Sequence, residues 1–399
     1  MAPPDSFQHQ PEALGTSFDG KGEFKVNDLR FVHTDEGRKH FAANFQPPNF
    51  TIKELRDAIP AHLFKRSGFH SGLHTLLDIV ICSSLFYVAT HIDTLPTLVQ
   101  LAAWPAYWFM QGVFMTGLWV IAHECGHQAF SESKLLNNTV GMILHSALLV
   151  PYHSWRISHA HHHANTGHMT EDQVFVPTRR KDMFKESAVQ EALDTSPIVA
   201  ILKIVRMLVL GWPAYLIMNV SGQAYPRYTS HFHPSSPIFR PNQGSMVIQS
   251  DLGLVAAFSV IGYAIAQTSF WTVAKYYLIP YLFVNAWLVL ITFLQHTDVY
   301  LPHYDPKAWN FIRGALTTVD RDFGWFLNGA LHHINDSHVA HHLFSQMPFY
   351  NAIKATPYLE AKLGQYYLMD RTSIPEALYR AMTECRFVED EGDVLFYQK

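Results

Sequence analysis

The chain is short of cysteine, of net charge and of internal punctuation, and each shortage removes a class of protein. Three cysteines in 399 residues, Cys82, Cys125 and Cys385, are far apart and odd in number. They give no disulfide framework and fit a reducing compartment. A net charge of −4 offers no broadly basic footprint for nucleic acid. No Ser/Gly linker or repeat divides the sequence, which reads as one body over 47–399. Residues 1–46 lack an apolar period and carry Pro3, Pro4, Gly15, Gly20 and Gly22. A mostly disordered polar tail is expected there, without the apolar core of a signal peptide.

Histidine is in excess: 25 residues, nearly as many as the 29 lysines and arginines together. Much of the excess falls into three boxes, His123-Glu124-Cys125-Gly126-His127, His159-Ala160-His161-His162-His163 and His338-Val339-Ala340-His341-His342. Residues three and four apart share a helix face, so each box aims two or three imidazoles at one point. Hydrophobic residues make up 48%, an ordinary share, but they cluster into runs near the roughly 20 residues that span a bilayer.

Spans are expected at about 73–92, 98–122, 252–270 and 276–294, with Asp78 and Pro105 as blemishes. Before the first, Thr51 with Glu54 three positions on predicts a capped helix that Pro60 interrupts. Two further apolar runs, 139–150 and 198–220, are set aside as interfacial or shallowly re-entrant. A crossing in either would separate the boxes to opposite faces. The predicted architecture is all-α and integral to the membrane, with four transmembrane helices, interfacial helices and a histidine-rich cap formed by 123–251 and 295–399. His296 ends the last span on the face of the boxes. The Lys and Arg between 156 and 185 mark that face, with both termini, as cytoplasmic.

The candidate metal ligands are therefore His123, His127, His159, His162, His163, His296, His338, His341 and His342. Zinc sites take three or four protein ligands, so nine imidazoles point to two metals. Imidazole suits iron, copper, nickel and zinc, and spacing does not choose among them. His161 points away from its box neighbours and is left out; His332 and His333 lack box spacing. Box one also matches His-Glu-x-x-His, the zinc and general-base pattern of a metalloprotease, but that reading leaves boxes two and three unexplained. A membrane metal carrier would line a transmembrane path with polar groups, whereas these histidines gather beyond the span ends.

The boxes resemble those of the membrane-bound fatty-acid desaturases. More closely, Ile59-Pro60-Ala61-His62, Pro151-Tyr152-His153-Ser154-Trp155, Leu294-Gln295-His296-Thr297 and His341-His342-Leu343-Phe344-Ser345 resemble the acyl-lipid Δ12 (oleate) desaturases of fungi and plants. The resemblance implies an endoplasmic-reticulum enzyme with two iron ions, using O2 and two electrons to convert oleoyl to linoleoyl groups in phospholipid. It implies the eight box ligands and His296 as the ninth. His233-Pro234-Ser235-Ser236 stands where a fused haem domain would read His-Pro-Gly-Gly, so a separate cytochrome b5 with its NADH-dependent reductase is the implied partner, with Arg179, Arg180 and Lys181 as a docking patch. Within the family the alternatives are an ω3 or bifunctional Δ12/ω3 desaturase or a hydroxylase; Glu124 leans toward Δ12. Removing hydrogen from an unactivated methylene needs a cofactor, while the protein orients the chain. Trp108, Phe109, Gly112, Met115 and Gly117 are candidates for the acyl tunnel wall. Glu124, Asp172, Asp320, Asn335 and Asp336 are candidates to hold ligand imidazoles from behind, with Asp336 favoured.

Overall fold

The computed structural model describes residues 33–183 and 196–399. The expected tail falls mostly outside these residues, but its last part is folded. Thr34 caps a helix α1, Asp35–Asn44, and Phe41 and Phe45 pack edge-on against Phe396. Thr51 and Glu54 close a reciprocal capping box on α2, Ile52–Asp57, and the chain re-forms as a 3₁₀ turn, Ala61–Phe64, after Pro60.

Two long helices follow, α3 (Gly68–Ala89) and α4 (Thr97–Gly126). Then come α5 (Lys134–Ala147), α6 (Tyr152–Asn165), α7 (Pro197–Met218), α8 (Gly244–Gln267) and α9 (Ile279–His296), the last entered through helical turns from Phe270. Short helices α10 (Phe311–Ala315), α11 (Trp325–Ala330) and α12 (His338–Leu343) precede α13 (Phe349–Leu363) and α14 (Ile374–Glu384). Strand structure among the described residues is confined to two short ladders. His303–Tyr304 pairs antiparallel with Val394–Leu395, and Asp320–Arg321 parallel with Met369–Asp370.

Among the described residues, four helices are long and apolar enough to cross a membrane: Gly68–Thr94, Pro197–Met218, Pro241–Gln267 and Phe270–His296. The number matches the expectation but the membership does not: Pro197–Met218 qualifies and Thr97–Gly126 does not. The cause lies in what α4 faces. It packs on α3, α5 and α9 at the middle of the bundle, and much of it is buried, including Trp104, Tyr107, Gln111, Thr116 and Trp119. A helix surrounded by protein does not need the hydropathy of one facing lipid. By contrast α3 and α8 expose Leu76, Val80, Val255 and Phe258. The run 139–150 belongs to α5, whose 14 residues are too few to span. The run 198–220 is one continuous helix rather than a re-entrant hairpin.

Close contacts fix the centre of the bundle. A Cβ on Gly112 would lie 2.4 Å from Phe283 Cβ of α9, and one on Gly141 would lie 2.3 Å from the Tyr152 ring. The main core joins Val113, Trp119, Val120, Trp155, Trp212, Leu216, Val284 and Leu288, so α4, α6, α7 and α9 share one core beside the histidines of α4, α6 and α9.

Candidate metal centre

All nine expected histidines come together. His123 and His127 occupy the last turn and C-cap of α4, His159, His162 and His163 one face of α6, His296 the last residue of α9, and His338, His341 and His342 the six-residue α12. Five of them, His123, His127, His159, His163 and His341, have ligand atoms within 4.8 Å of one another, as do His162, His296 and His342. His338 joins the second group, its Nε2 lying 3.2 Å from His296 Nε2 and 3.1 Å from His342 Nε2. The groups adjoin through the His163 and His342 rings, stacked at 4.1 Å. His161 is absent from both and half-exposed.

Ring nitrogens converge: Nε2 to Nε2 is 2.9 Å for His123 and His159, 3.2 Å for His163 and His159, and 3.4 Å for His162 and His296. Burial holds His159, His163, His338, His341 and His342 well below the ordinary imidazole pKa, so they are neutral near pH 7. Neutral rings in such contact cannot all be satisfied by donating to one another, and His341 Nε2 is buried with no hydrogen-bond partner among the described residues. Lone pairs aimed at a common point, with no acidic or sulfur donor among them, fit two borderline transition-metal ions.

Behind the second group the tautomers are set. His162 Nδ1 donates to Asp172 Oδ1 at 2.6 Å, His342 Nδ1 to Thr166 Oγ1 at 3.2 Å, and His296 Nδ1 to the Thr317 carbonyl at 3.4 Å. Each bond leaves an Nε2 lone pair facing inward. Asp172 is itself fixed by the amides of Gly167 and Gln173. Glu124 Oε1 sits 3.4 Å from His123 Nδ1 and 3.7 Å from His341 Nδ1, and its other oxygen accepts from the Phe349 amide. It thus lies behind the histidines, in contrast to a general base beside a zinc-bound water.

Asp336, the favoured carboxylate, instead bonds His333 at 3.1 Å, because His333 turns away at φ 58°. Its neighbour His332, at φ 53°, reaches Asp78 Oδ2 at 2.6 Å. The apparent blemish in the first span is therefore half of a buried hydrogen-bonded pair tying α3 to the approach to box three. Nothing in the spacing of the sequence marked that pairing, since its members lie far apart in the chain.

A cavity of about 530 Å³ runs from the histidines between α4, α7 and α9. His123, His159, His162, His296 and His338 form its inner end; Thr116, Trp119, Val120, Trp212, Tyr215 and Leu288 are among its wall. The wall residues expected from the sequence are not among them. Gly112 and Gly117 are instead close-packing positions, the latter against the Ala330 carbonyl. Trp108 donates to the Lys275 carbonyl, and Phe109 packs on Phe283 and Trp287. The lining face of α4 lies one turn nearer the boxes. Two of the three expected docking cations are also engaged within the chain: Arg180 pairs with Glu389 at 2.7 Å and Arg179 approaches Asp305 at 3.7 Å.

Apolar helices ending in paired polyhistidine clusters, with an apolar cavity leading to both, define an integral membrane protein whose histidine groups could hold metal at the end of an apolar cavity. The fatty acid desaturase family model matches residues 102–373, and the chain belongs to that family of oxidoreductases. It is 59% identical over 372 residues to the Delta(12) fatty acid desaturase of Mortierella isabellina, covering 90% of this chain and 93% of the relative. The Delta(12)-fatty-acid desaturase of Arabidopsis thaliana is 47% identical over 352 residues, 87% of this chain and 90% of the relative. A relative from Brassica juncea, 46% identical over 349 residues, 87% of this chain and 89% of the relative, is named an omega-6 desaturase of the endoplasmic reticulum.

Proposed function

We propose that the protein is a Δ12 acyl-lipid desaturase of the endoplasmic reticulum, converting oleoyl groups of phospholipid to linoleoyl groups. The observation that carries this reading is the apolar cavity whose inner end is made of histidines from both clusters; similarity to Delta(12) desaturases along most of the chain supports it. His123, His127, His159, His163 and His341 would hold one iron, and His162, His296, His338 and His342 the other. When bound, the iron pair supplies dioxygen activation and the removal of hydrogen from an unactivated methylene, which no side chain here can perform. Trp119, Trp212 and Leu288 exclude water and confine the chain, so two adjacent methylenes lie beside the histidine end. The balance is one acyl CH2–CH2, O2, two electrons and two protons giving CH=CH and two waters. Electrons come from cytochrome b5 and its NADH-dependent reductase.

The assembled centre supports a topology. His163 and His296 belong to adjoining clusters, so the chain crosses the bilayer an even number of times between them. Gly244–Gln267 and Phe270–His296 supply two crossings, and Pro197–Met218 then lies in the interface. Helices α3 and α4 form the other pair of spans, with termini and boxes cytoplasmic.

Expression in a yeast that makes oleate but no linoleate tests the activity. Linoleate is the expected product; absence of any new diene removes the Δ12 assignment, and a triene moves it to ω3. Purified protein is expected to hold about two irons per chain.

A further inference from the structure

Besides histidine, the described residues lining the cavity include two charged side chains, Lys203 and Arg206. Both stand on α7, three residues apart and so on one face, in a helix with no other Asp, Glu, Lys or Arg. The C-terminal half of that helix meets the boxes: Trp212 packs on Trp119, and Tyr215 donates to Ser158 beside His159. Arg206 lies nine residues before Tyr215, roughly 13 Å along the axis at the helical rise. Lys203 is half-buried and Arg206 exposed, so the two cations mark the open end of the cavity, opposite the histidines. Snorkelling toward water accounts for one long cation on an apolar helix. Here two cations border the same apolar opening.

We propose that Lys203 and Arg206 bind the phosphate of the molecule that carries the acyl group. The inference rests on the cavity being the acyl site. An anion held there leaves its fatty chain running along α7 toward the metals, with the reacting carbons near the middle of a long chain. Guanidinium and ammonium groups both suit a phosphate. Two carriers share this chemistry, a glycerophospholipid and an acyl-coenzyme A.

Trp119, Trp155 and Trp212 line the cavity, so acyl chains bearing bromine at mid-chain will quench their fluorescence on entry, without turnover. Full-length protein in neutral detergent is titrated with brominated chains carried by phosphatidylcholine, by coenzyme A and by neutral diacylglycerol. At least one phosphate-bearing probe is expected to half-saturate at about ten-fold lower concentration than diacylglycerol, the size of one charge-assisted hydrogen bond. Replacing both cations, Lys203→Gln with Arg206→Gln, should close that gap and leave diacylglycerol unchanged; Arg206→Lys should keep most of it. Whichever of the two carriers binds better identifies the source of the phosphate. Equal half-saturation of wild type and double variant by the phosphate probes overturns the proposal. Quenching by no probe removes the acyl cavity itself, and with it the function proposed above.

Discussion

Asp172 shows how a single carboxylate outside the boxes shapes the centre. Its bond to His162 fixes a tautomer, and partners of this kind typically contribute ten- to hundred-fold in metal affinity. Asp172→Ala is therefore expected to lose iron to a chelator at about ten- to hundred-fold lower chelator concentration than wild type, whereas Asp336→Ala, which frees only His333, should match wild type. Iron content after graded competition reads both. His296→Ala should abolish desaturation and His161→Ala retain most of it, as product yields in yeast will show; full activity without His296 would remove it from the ligand set. At this scale the sequence was most legible where chemistry repeats at helical spacing, as in the boxes. It was least legible where partners meet through the fold, as for Asp78 with His332 and Thr166 with His342.

At the scale of elements, α12 is the revealing case. Six residues cannot hold a helix by propensity. Its first turn is instead pinned by Asp320, which accepts from the Val339 amide at 2.8 Å and the Tyr367 hydroxyl at 2.7 Å. Asp320→Ala leaves both donors buried and is expected to cost about 1–3 kcal/mol, read as a lower unfolding midpoint, with box three loosened and iron content reduced. Gly112→Val should push α4 from α9 and cost about 1–3 kcal/mol by overpacking, measured in the same way. Long apolar spans could be read from periodicity and length, and α2 from its cap. Two features could not. The first was α1, a polar helix held by Thr34, Phe41 and Arg38 against the C-terminal region. The second was the central position of α4, packed on α3, α5 and α9, which only the packed structure reveals.

For the molecule as a whole, acid is the expected weakness. Burial holds His231 and His303 down at about 4, against an ordinary 6.5. The folded state then binds fewer protons than the unfolded one, so this stability is complete above pH 6.5 and is lost as pH falls toward 4. Asp320 and Glu124, pushed up to about 7 and about 8 by burial, oppose this, since their contribution is lost as pH rises, but the buried box imidazoles His159, His163 and His338 are held down as well. Asp298, held below the ordinary carboxylate range by Arg321 and Arg380 despite its burial, adds to the loss in stronger acid. The unfolding midpoint in detergent is expected to be lower at about pH 5 than at about pH 7.5; an unchanged midpoint would contradict the neutral burial of His231 and His303.

The order in which the ligands occur along the chain bears on how the enzyme is made. Box one leaves the ribosome well before box three, yet each histidine group draws on both: His341 completes the group that contains His123, and His338 and His342 complete the one that contains His162. On the proposed two-iron reading, neither ion would be fully held until box three, the last of the boxes along the chain, has been made. Metal loading would then follow the making of box three, and a chain truncated before residue 338 is expected to lack a working centre.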